Sequence, residues 1–324
     1  MATNSSPGHV LITGGCGFIG SHLVRFLLNE RPELLVTNLD ALTYAGDKEN
    51  LLDVESLERY RFVHGDIRDA HCVEPLVEEA DWVVNLAAES SVDRSLRGDA
   101  ASFIATNVHG SAVVLDCVGR SEGTRLLQVS TDEVYGSVAP RQRASEADAL
   151  RPSSPYAASK AAADLLIVAA VTSRGLDARI ARSTNCFGTH QHREKLIPRF
   201  VTRAARGEEL PLYDDGSQVR EWLAVEDLCR ALLLLLENGR EGEIYNVGSG
   251  QSPEITNYEL ALEILRRTGA SRDLIQRQDG ARPGHDQRYA VDSSKLRALG
   301  WRPRCDFEIS LEKAIQWYIA AAGS

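Results

Sequence analysis

The sequence predicts an α/β protein: a doubly wound parallel sheet with a smaller mixed α/β part beside it. Three observations carry that prediction. Short β-rich runs alternate with longer helical patterns, in the order HVLITG, LLVTNLD, RFVHGDI, WVVNLA, RLLQVST, DARIARSTN and later EIYNVGS, and this rhythm stacks βαβ units into a parallel sheet with helices on both faces. A glycine-rich stretch, GGCGFIG, stands between the first strand and the amphipathic pattern SHLVRFLLNE. Past residue 188 the rhythm loosens, and Pro198, Pro211, Pro253, Pro283 and Pro303 punctuate shorter pieces.

Composition bounds the rest. The 324 residues are 43% hydrophobic and 25% charged, enough for one large or two modest domains. A formal charge of −10 argues against nucleic acid or an anionic membrane as partner, since both reward a basic surface. An anionic small ligand would need its own local cations. Cys16, Cys72, Cys117, Cys186, Cys229 and Cys305 are scattered without a C-x-x-C pair, which fits a reducing cytoplasm better than a zinc ribbon or disulfide framework. MATNSSPGHV lacks a signal-peptide pattern, and ALLLLL (231–236) is too short to span a bilayer, so we expect an intracellular, soluble protein.

In GGCGFIG, Gly14, Gly17 and Gly20 permit a tight turn and let backbone N–H groups approach a pyrophosphate at the helix N-terminus. The motif alone also fits a mere tight turn. Its context adds Asp40, closing the second strand twenty positions after Gly20, where an acid binds the ribose diol of NAD and repels the extra phosphate of NADP. NAD is the expected cofactor, in a Rossmann-like domain. GDI (65–67) puts Asp66 and Ile67 by the adenine, or else makes Asp66 a helix cap.

VSTDEVYG (129–136) places Asp132 and Glu133 directly after Ser130 and Thr131 at a strand end. Strand ends in open parallel sheets face the ligand crevice, so adjacent acids there suit chemistry that needs an acid and a base together. Tyr156 and Lys160, in YAASK, stand one helical turn apart. A tyrosine of ordinary pKa, about 10, is a poor base, but a neighbouring ammonium and a positive nicotinamide ring favour the phenolate, which takes a proton from an alcohol. Tyr and Lys at this spacing also describe a plain solvated face; consistency with the other motifs selects the catalytic reading.

With these motifs the chain resembles the extended short-chain dehydrogenase/reductases, and among them most closely the dTDP-glucose 4,6-dehydratases. GGCGFIGSH, NLDALTYAG, GDI, NLAAESSVDRS, VSTDEVYG, SPYAASKAAAD, STNCFG, EKLIPRF, REWLAVEDLCRA, YNVGSG and RPGHDQRYAVD occur in the family's order over nearly the whole length. Epimerases of the superfamily share the glycine loop and the Tyr/Lys pair but characteristically lack the Asp-Glu. The resemblance implies an NAD site of Gly14, Gly17, Phe18, Ile19, Gly20, Asp40, Asp66, Ile67, Ala87, Tyr156 and Lys160. It implies that Tyr156 deprotonates the sugar 4-hydroxyl, that Thr131 hydrogen-bonds the 4-oxygen, that Glu133 is base at C5, and that protonated Asp132 serves the departing C6 hydroxyl, with Lys160 supporting the tyrosine. The net reaction is loss of water, serving deoxysugar synthesis. Elimination needs two carboxyls whose pKa values are pushed apart.

For the nucleotide sugar the resemblance points to Ser90, Asn185, Glu194, Lys195, Arg220, Asn246, Arg282 and His285. Guanidinium forks and an ammonium suit a pyrophosphate, although any one of these cations also fits a surface charge, and Glu194 either orders sugar or pairs with a cation. Where the family usually reads AAESHVDRS, this chain has Ser91 in the histidine's place. CFGTHQHREKLIP replaces CYGPYQFPEKLIP, exchanging prolines for Thr189 and Arg193 and bringing in His190 and His192; YDDG has Asp214 where glycine is usual, and WLAVED has Ala224 where a larger residue is common. The loop at 189–193 should be looser or differently shaped, since proline fixes φ. His190, His192 and Glu194 lack further ligands at a zinc spacing, and no metal is expected.

We expect residues 1–188, with a return segment near 225–250, to form the NAD-binding domain, and 189–224 with 251–324 to cover the substrate. The leading function is an NAD-dependent nucleotide-sugar 4,6-dehydratase. An epimerase or oxidoreductase on a different sugar nucleotide or glycoside is the alternative that edited pocket residues would allow, and a noncatalytic nucleotide-sugar binder is a third. ASFIATNVHGSAVVLDCVGR and YAASKAAADLLIVAAVTSR have broad apolar faces that fit a homodimer, as in the family, or packing inside one subunit.

Overall fold

The computed structural model describes residues 8–280 and 286–322. Its centre is the expected Rossmann-like sheet of seven strands: β1 His9–Thr13, β2 Leu35–Asp40, β3 Tyr60–His64, β4 Trp82–Asn85, β5 Arg125–Thr131, β6 Ala178–Ser183 and β7 Ile244–Val247. Their order is β7-β6-β5-β4-β1-β2-β3, and every neighbouring pair is parallel. The chain first winds outward from β1 and then crosses to β4 to wind the other way. That reversal opens a crevice beyond the carboxyl ends of β1 and β4, where ligands bind in such sheets.

The strands are apolar on both faces because helices cover both. Helices α1 Phe18–Glu30, α2 Ala70–Glu78, α3 Ser111–Arg120, α4 Pro155–Arg174, α5 Leu196–Ala205, α6 Val225–Asn238, α7 Asn257–Thr268 and α8 Phe307–Ala322 are the main ones. Alternation along β1 shows the division: Val10 and Ile12 join the core under α1 and α6, whereas Leu11 joins the core under α2, α3 and α4. A third core, built from Phe187, α5, α7, α8 and the strand Leu210–Tyr213, lies outside the sheet. Asn185–Phe187 pairs in parallel with Trp222–Ala224 and carries the chain from β6 towards this third core.

Local signals set the element that matters most for the site. Helix α4 begins where Ser154 Oγ accepts the Ala157 N–H at 3.1 Å and Pro155 occupies the first turn, and it stops at Gly175 in the left-handed region at φ 65°. Upstream of α3 the helix runs from Ala100 through a π-helical turn at Ile104–Gly110. That turn carries buried Asn107, whose amide donates to the Glu89 carbonyl and to Ser159 Oγ, both at 2.9 Å, so the loop after β4 is tied to α4. Helices Ala100–Arg120 and Pro155–Arg174 are long and apolar enough to cross a membrane by length and composition, and each is partly buried in the fold.

Candidate active site

Two cavities open at the carboxyl end of the sheet. One, of about 470 Å³, lies between the loops that follow β1 and β4; it is lined by Gly14, Gly17, Phe18, Ile19, Gly20, Asp40, Asp66, Ile67 and Ala87, and by Ser90, Thr131, Tyr156 and Lys160. The other, of about 610 Å³, is lined by Ser91, Glu194, Arg220 and much of the face of α5. Glu133, Asn185, Cys186, Gln191 and Lys195 line both, so the two meet at a common wall.

The first cavity fits a dinucleotide. Gly14 sits at φ 73°, and a Cβ there would lie 2.8 Å from the Ala87 backbone; one on Gly20 would lie 2.2 Å from the Gly14 carbonyl oxygen. Only glycine leaves that cradle open. Gly17 caps α1 without any side-chain hydrogen bond, and no acid occupies the first turn, so the helix presents its N–H groups and positive dipole end to an anion. Asp40 closes β2 as expected. Its carboxylate accepts N–H groups from Cys16 and Leu42, each at 2.8 Å, which positions it in the wall; burial pushes its pKa up and these two bonds hold it back. Asp66 is not the cap of α2, a role taken by Asp69. Asp66 instead pairs with Arg68 and still lines the cavity with Ile67.

At the end of β5 the backbone turns into a short 3-10 segment, Asp132–Tyr135, capped by Thr131 Oγ1, which accepts the Glu133 N–H at 3.3 Å. Asp132 is 2% exposed; Thr131 donates to its Oδ1 at 3.3 Å, while Oδ2 has no hydrogen-bond partner. Burial, reinforced by Glu133 and Glu221 and only partly offset by Arg220, holds its carboxyl well above the usual range.

Tyr156 and Lys160 share the cavity face of α4, but the chain's own groups do not make the phenol acidic. Burial pushes the Tyr156 pKa up, Glu133 and Asp132 add to the rise, and Thr131 offsets part of it. Lys160 is 4% exposed and donates to the Val129 carbonyl at 2.8 Å, and burial lowers its own pKa to about 8. The sequence expectation that a neighbouring ammonium draws the phenol down is corrected in this respect.

On the substrate side Asn185, Glu194, Lys195 and Arg220 come together, while Ser90 lines the smaller cavity and meets them through its carbonyl, which accepts from Lys195 at 2.6 Å. Asn185 Oδ1 is buried without a partner in a residue lining both cavities, the signature of a polar group kept for a ligand. Arg220 is 7% exposed; it donates to the Asp286 carbonyl at 2.9 Å and stacks over Tyr289 at 4.3 Å. Asn246 is not brought to either cavity. It is 0% exposed, donates to the Ala144 carbonyl at 2.9 Å and accepts from Tyr135 at 2.8 Å, so its side chain is consumed inside the fold. Arg282 and His285 lie outside the described residues.

The replaced positions have local explanations. Ser91 Oγ accepts the Arg94 N–H at 3.4 Å and caps the helix Val92–Leu96. Asp214 stands at φ 50°, the region that makes glycine usual there, and its Oδ1 accepts the Gly280 N–H at 2.8 Å. His190 points away from the cavities: it bonds Asn50 Oδ1 at 2.9 Å and packs on Trp317 at 4.8 Å, and burial lowers its pKa to about 4. His192, Arg193 and Glu194 do face the cavities.

Sequence reasoning missed the cationic face of α5. Arg199, Arg203 and Arg206 line the larger cavity with Arg94, Arg97, Arg193, Lys195 and Arg220, an excess of positive charge in a chain of net charge −10. Their recurrence every three or four residues was the available signal. Tyr289, which donates to Asp286 Oδ2 at 2.6 Å, and Tyr44 were also missed; no local spacing marks either one.

Known proteins resemble this chain along its length. A family model described as GDP-mannose 4,6 dehydratase matches residues 11–314. The low-salt glycan biosynthesis protein Agl12 of Haloferax volcanii is 50% identical over 310 residues, 96% of this chain and 98% of that protein. A dTDP-glucose 4,6-dehydratase of Streptomyces griseus is 47% identical over 313 residues, covering 96% and 94%. The crystal structure of DesIV, the dTDP-glucose 4,6-dehydratase of Streptomyces venezuelae, solved with NAD bound, superposes with a TM-score of 0.93 at 46% identity, covering 97% of this chain and 98% of that one.

Proposed function

This chain belongs to the GDP-mannose 4,6-dehydratase family, and on that premise we propose that it is an NAD-dependent lyase that removes water from dTDP-glucose to give the 4-keto-6-deoxy sugar. The observation that carries this reading is the pair of carboxyls after Thr131: Glu133 lines both cavities, and Asp132, buried with its Oδ2 unpartnered, stands next to it without lining either. Epimerases of the superfamily characteristically lack that pair. The smaller cavity takes NAD, on the support of the glycine cradle and Asp40, and the larger takes the nucleotide sugar, on the support of its arginines and Asn185.

Bound NAD supplies a reversible hydride acceptor for the sugar. Tyr156 takes the proton of the 4-hydroxyl, whose oxygen Thr131 holds by a hydrogen bond, and Lys160 supports the tyrosine from the same face of α4. Once C4 is a ketone, the C5 hydrogen is acidic and Glu133 removes it, while Asp132 gives its proton to the hydroxyl leaving C6; the hydride taken from C4 would then return to C6 as Glu133 gives its proton back to C5, which leaves the 4-keto-6-deoxy sugar and the cofactor in its starting state. Ser90, Glu194 and Lys195 orient the sugar and its diphosphate, with Asn185 and Arg220. Arg282 and His285 join them on the resemblance alone.

Residues 1–188 with 225–250 form the cofactor-binding unit in this reading, and 189–224 with 251–324 the substrate-binding unit, which the separate third core supports. A homodimer is supported by the apolar residues left on two neighbouring helical segments: Ile104 is 58% exposed and Leu165 58%. Six free thiols support a reducing, cytoplasmic setting.

The test is mass spectrometry of purified protein incubated with dTDP-glucose and NAD. A product lighter by one water that accumulates over many turnovers is the expected result. Sugar returned unchanged, with NAD bound, overturns the reading. Sedimentation of the wild type and of Leu165→Glu tests the dimer, which the charge should dissociate.

A further inference from the structure

Part of the wall between the two cavities is the segment 191–195. Gln191 and Lys195 line both cavities, His192 lines the cofactor side and Glu194 the substrate side. This segment precedes α5 and belongs to no helix or strand, so side chains set its position.

Those side chains converge on Tyr44. Its hydroxyl donates to Glu194 Oε1 at 3.1 Å and lies 3.3 Å from Ser90 Oγ. Lys195 Nζ donates to the Ser90 carbonyl at 2.6 Å and stands 3.9 Å from Glu194 Oε1, closing a ring of four residues. His192 packs edge-on against the Tyr44 ring at 5.3 Å, and the Arg94 guanidinium covers the ring at 4.3 Å. Burial pushes the phenol up to about 12, so it remains a donor at any ordinary pH.

Tyr44 itself lines neither cavity, yet Thr43, Ala45 and Gly46 around it line the cofactor side. A dinucleotide that orders this loop therefore orders Tyr44, and an ordered Tyr44 fixes Glu194 and, through Ser90, Lys195 on the substrate side. We propose that Tyr44 is a positioning residue that holds the wall 191–195 in place and makes occupation of each cavity favour occupation of the other. The proposal rests on the reading of the cavities as sites for NAD and a nucleoside diphosphate sugar. Such coupling is reciprocal, because it is a free energy shared by two binding equilibria.

The test uses Tyr44→Phe, which keeps the ring under Arg94 and beside His192 and removes only the hydroxyl. Calorimetry gives the affinity for NAD with and without saturating thymidine diphosphate, and the reverse. In the wild type each ligand tightens the other by about fivefold or more; in Tyr44→Phe that factor falls below about twofold, while a Ser90→Ala variant, retaining the carbonyl that Lys195 uses, shows a smaller loss. A purely structural role for Tyr44 would weaken both affinities and leave their coupling intact, which overturns the proposal. Absence of coupling in the wild type overturns it too. Failure of the wild type to bind thymidine diphosphate at all removes both this proposal and the functional reading, whereas coupling that persists in Tyr44→Phe alongside normal loss of water removes this proposal alone.

Discussion

Asp132 and Glu133 are adjacent in the chain and face opposite surroundings. Asp132 is 2% exposed, with Oδ2 unpartnered, while Glu133 lines both cavities. The turn at the end of β5 separates them, sending one carboxyl into the fold and the other into the wall of the site. Burial thereby holds the Asp132 carboxyl well above its ordinary range, while Glu133 keeps its place in the wall of the site.

Asp132→Asn should retain oxidation of the sugar and lose elimination. The amide fills the same space and cannot supply an acidic proton, so kcat for water loss falls about 10²–10⁴-fold. Reduced cofactor and 4-keto sugar should build up in rapid-mixing absorbance measurements. Unchanged turnover would remove Asp132 from its proposed role.

The same substitution should have a pH signature in stability. Because the folded Asp132 carboxyl is held above its ordinary value, the unfolded chain releases the proton first as pH rises past about 4, and wild-type stability falls from there until the folded group also ionises. Asp132→Asn lacks that loss, so its advantage in denaturant melts grows with pH, by at most about 1.4 kcal/mol per unit. A gap that stays constant from about pH 4 to about pH 7 contradicts the burial argument.

Lys160 gives the opposite sign. Its pKa is lowered from 10.5 to about 8, so across that window the unfolded chain keeps a proton that the folded protein has released, and wild-type stability rises with pH. Lys160→Met should be inactive or nearly so, and more stable than the wild type below about pH 8. That advantage should shrink as pH approaches 10.5, read from thermal melts at stepped pH.

The arginines of α5 should act on binding rather than chemistry. Replacing Arg199 and Arg206 together by alanine is expected to raise KM for the nucleotide sugar roughly tenfold and change kcat less than about twofold, with the difference shrinking at high salt. Steady-state kinetics at two ionic strengths measure it.

Asn246→Ala tests the reassignment of a residue that the motif pointed to as substrate-binding. It leaves the Tyr135 hydroxyl without its acceptor in a buried site, at a cost of about 1–3 kcal/mol in unfolding free energy. KM should stay within about twofold of the wild type. A large KM effect with unchanged stability would return Asn246 to the substrate.

What the sequence by itself determined about this protein is what neighbours along the chain decide. Strand and helix periodicity specify the parallel sheet, Gly14, Gly17 and Gly20 specify the cradle, and the spacings of Asp132 with Glu133 and of Tyr156 with Lys160 point to acid–base chemistry. Each depends on spacings of a few residues. Only the tertiary structure decided which polar side chains are spent inside the fold and which are left for ligands. Asn246 was withdrawn by partners more than a hundred positions away, and Tyr44 reaches Glu194 across 150 positions. The phenol of Tyr156 is held up by burial, although the motif suggested the reverse. The physical reason is common to all three: desolvation and hydrogen-bond competition depend on everything packed around a group, and periodicity carries no record of which distant segments those will be.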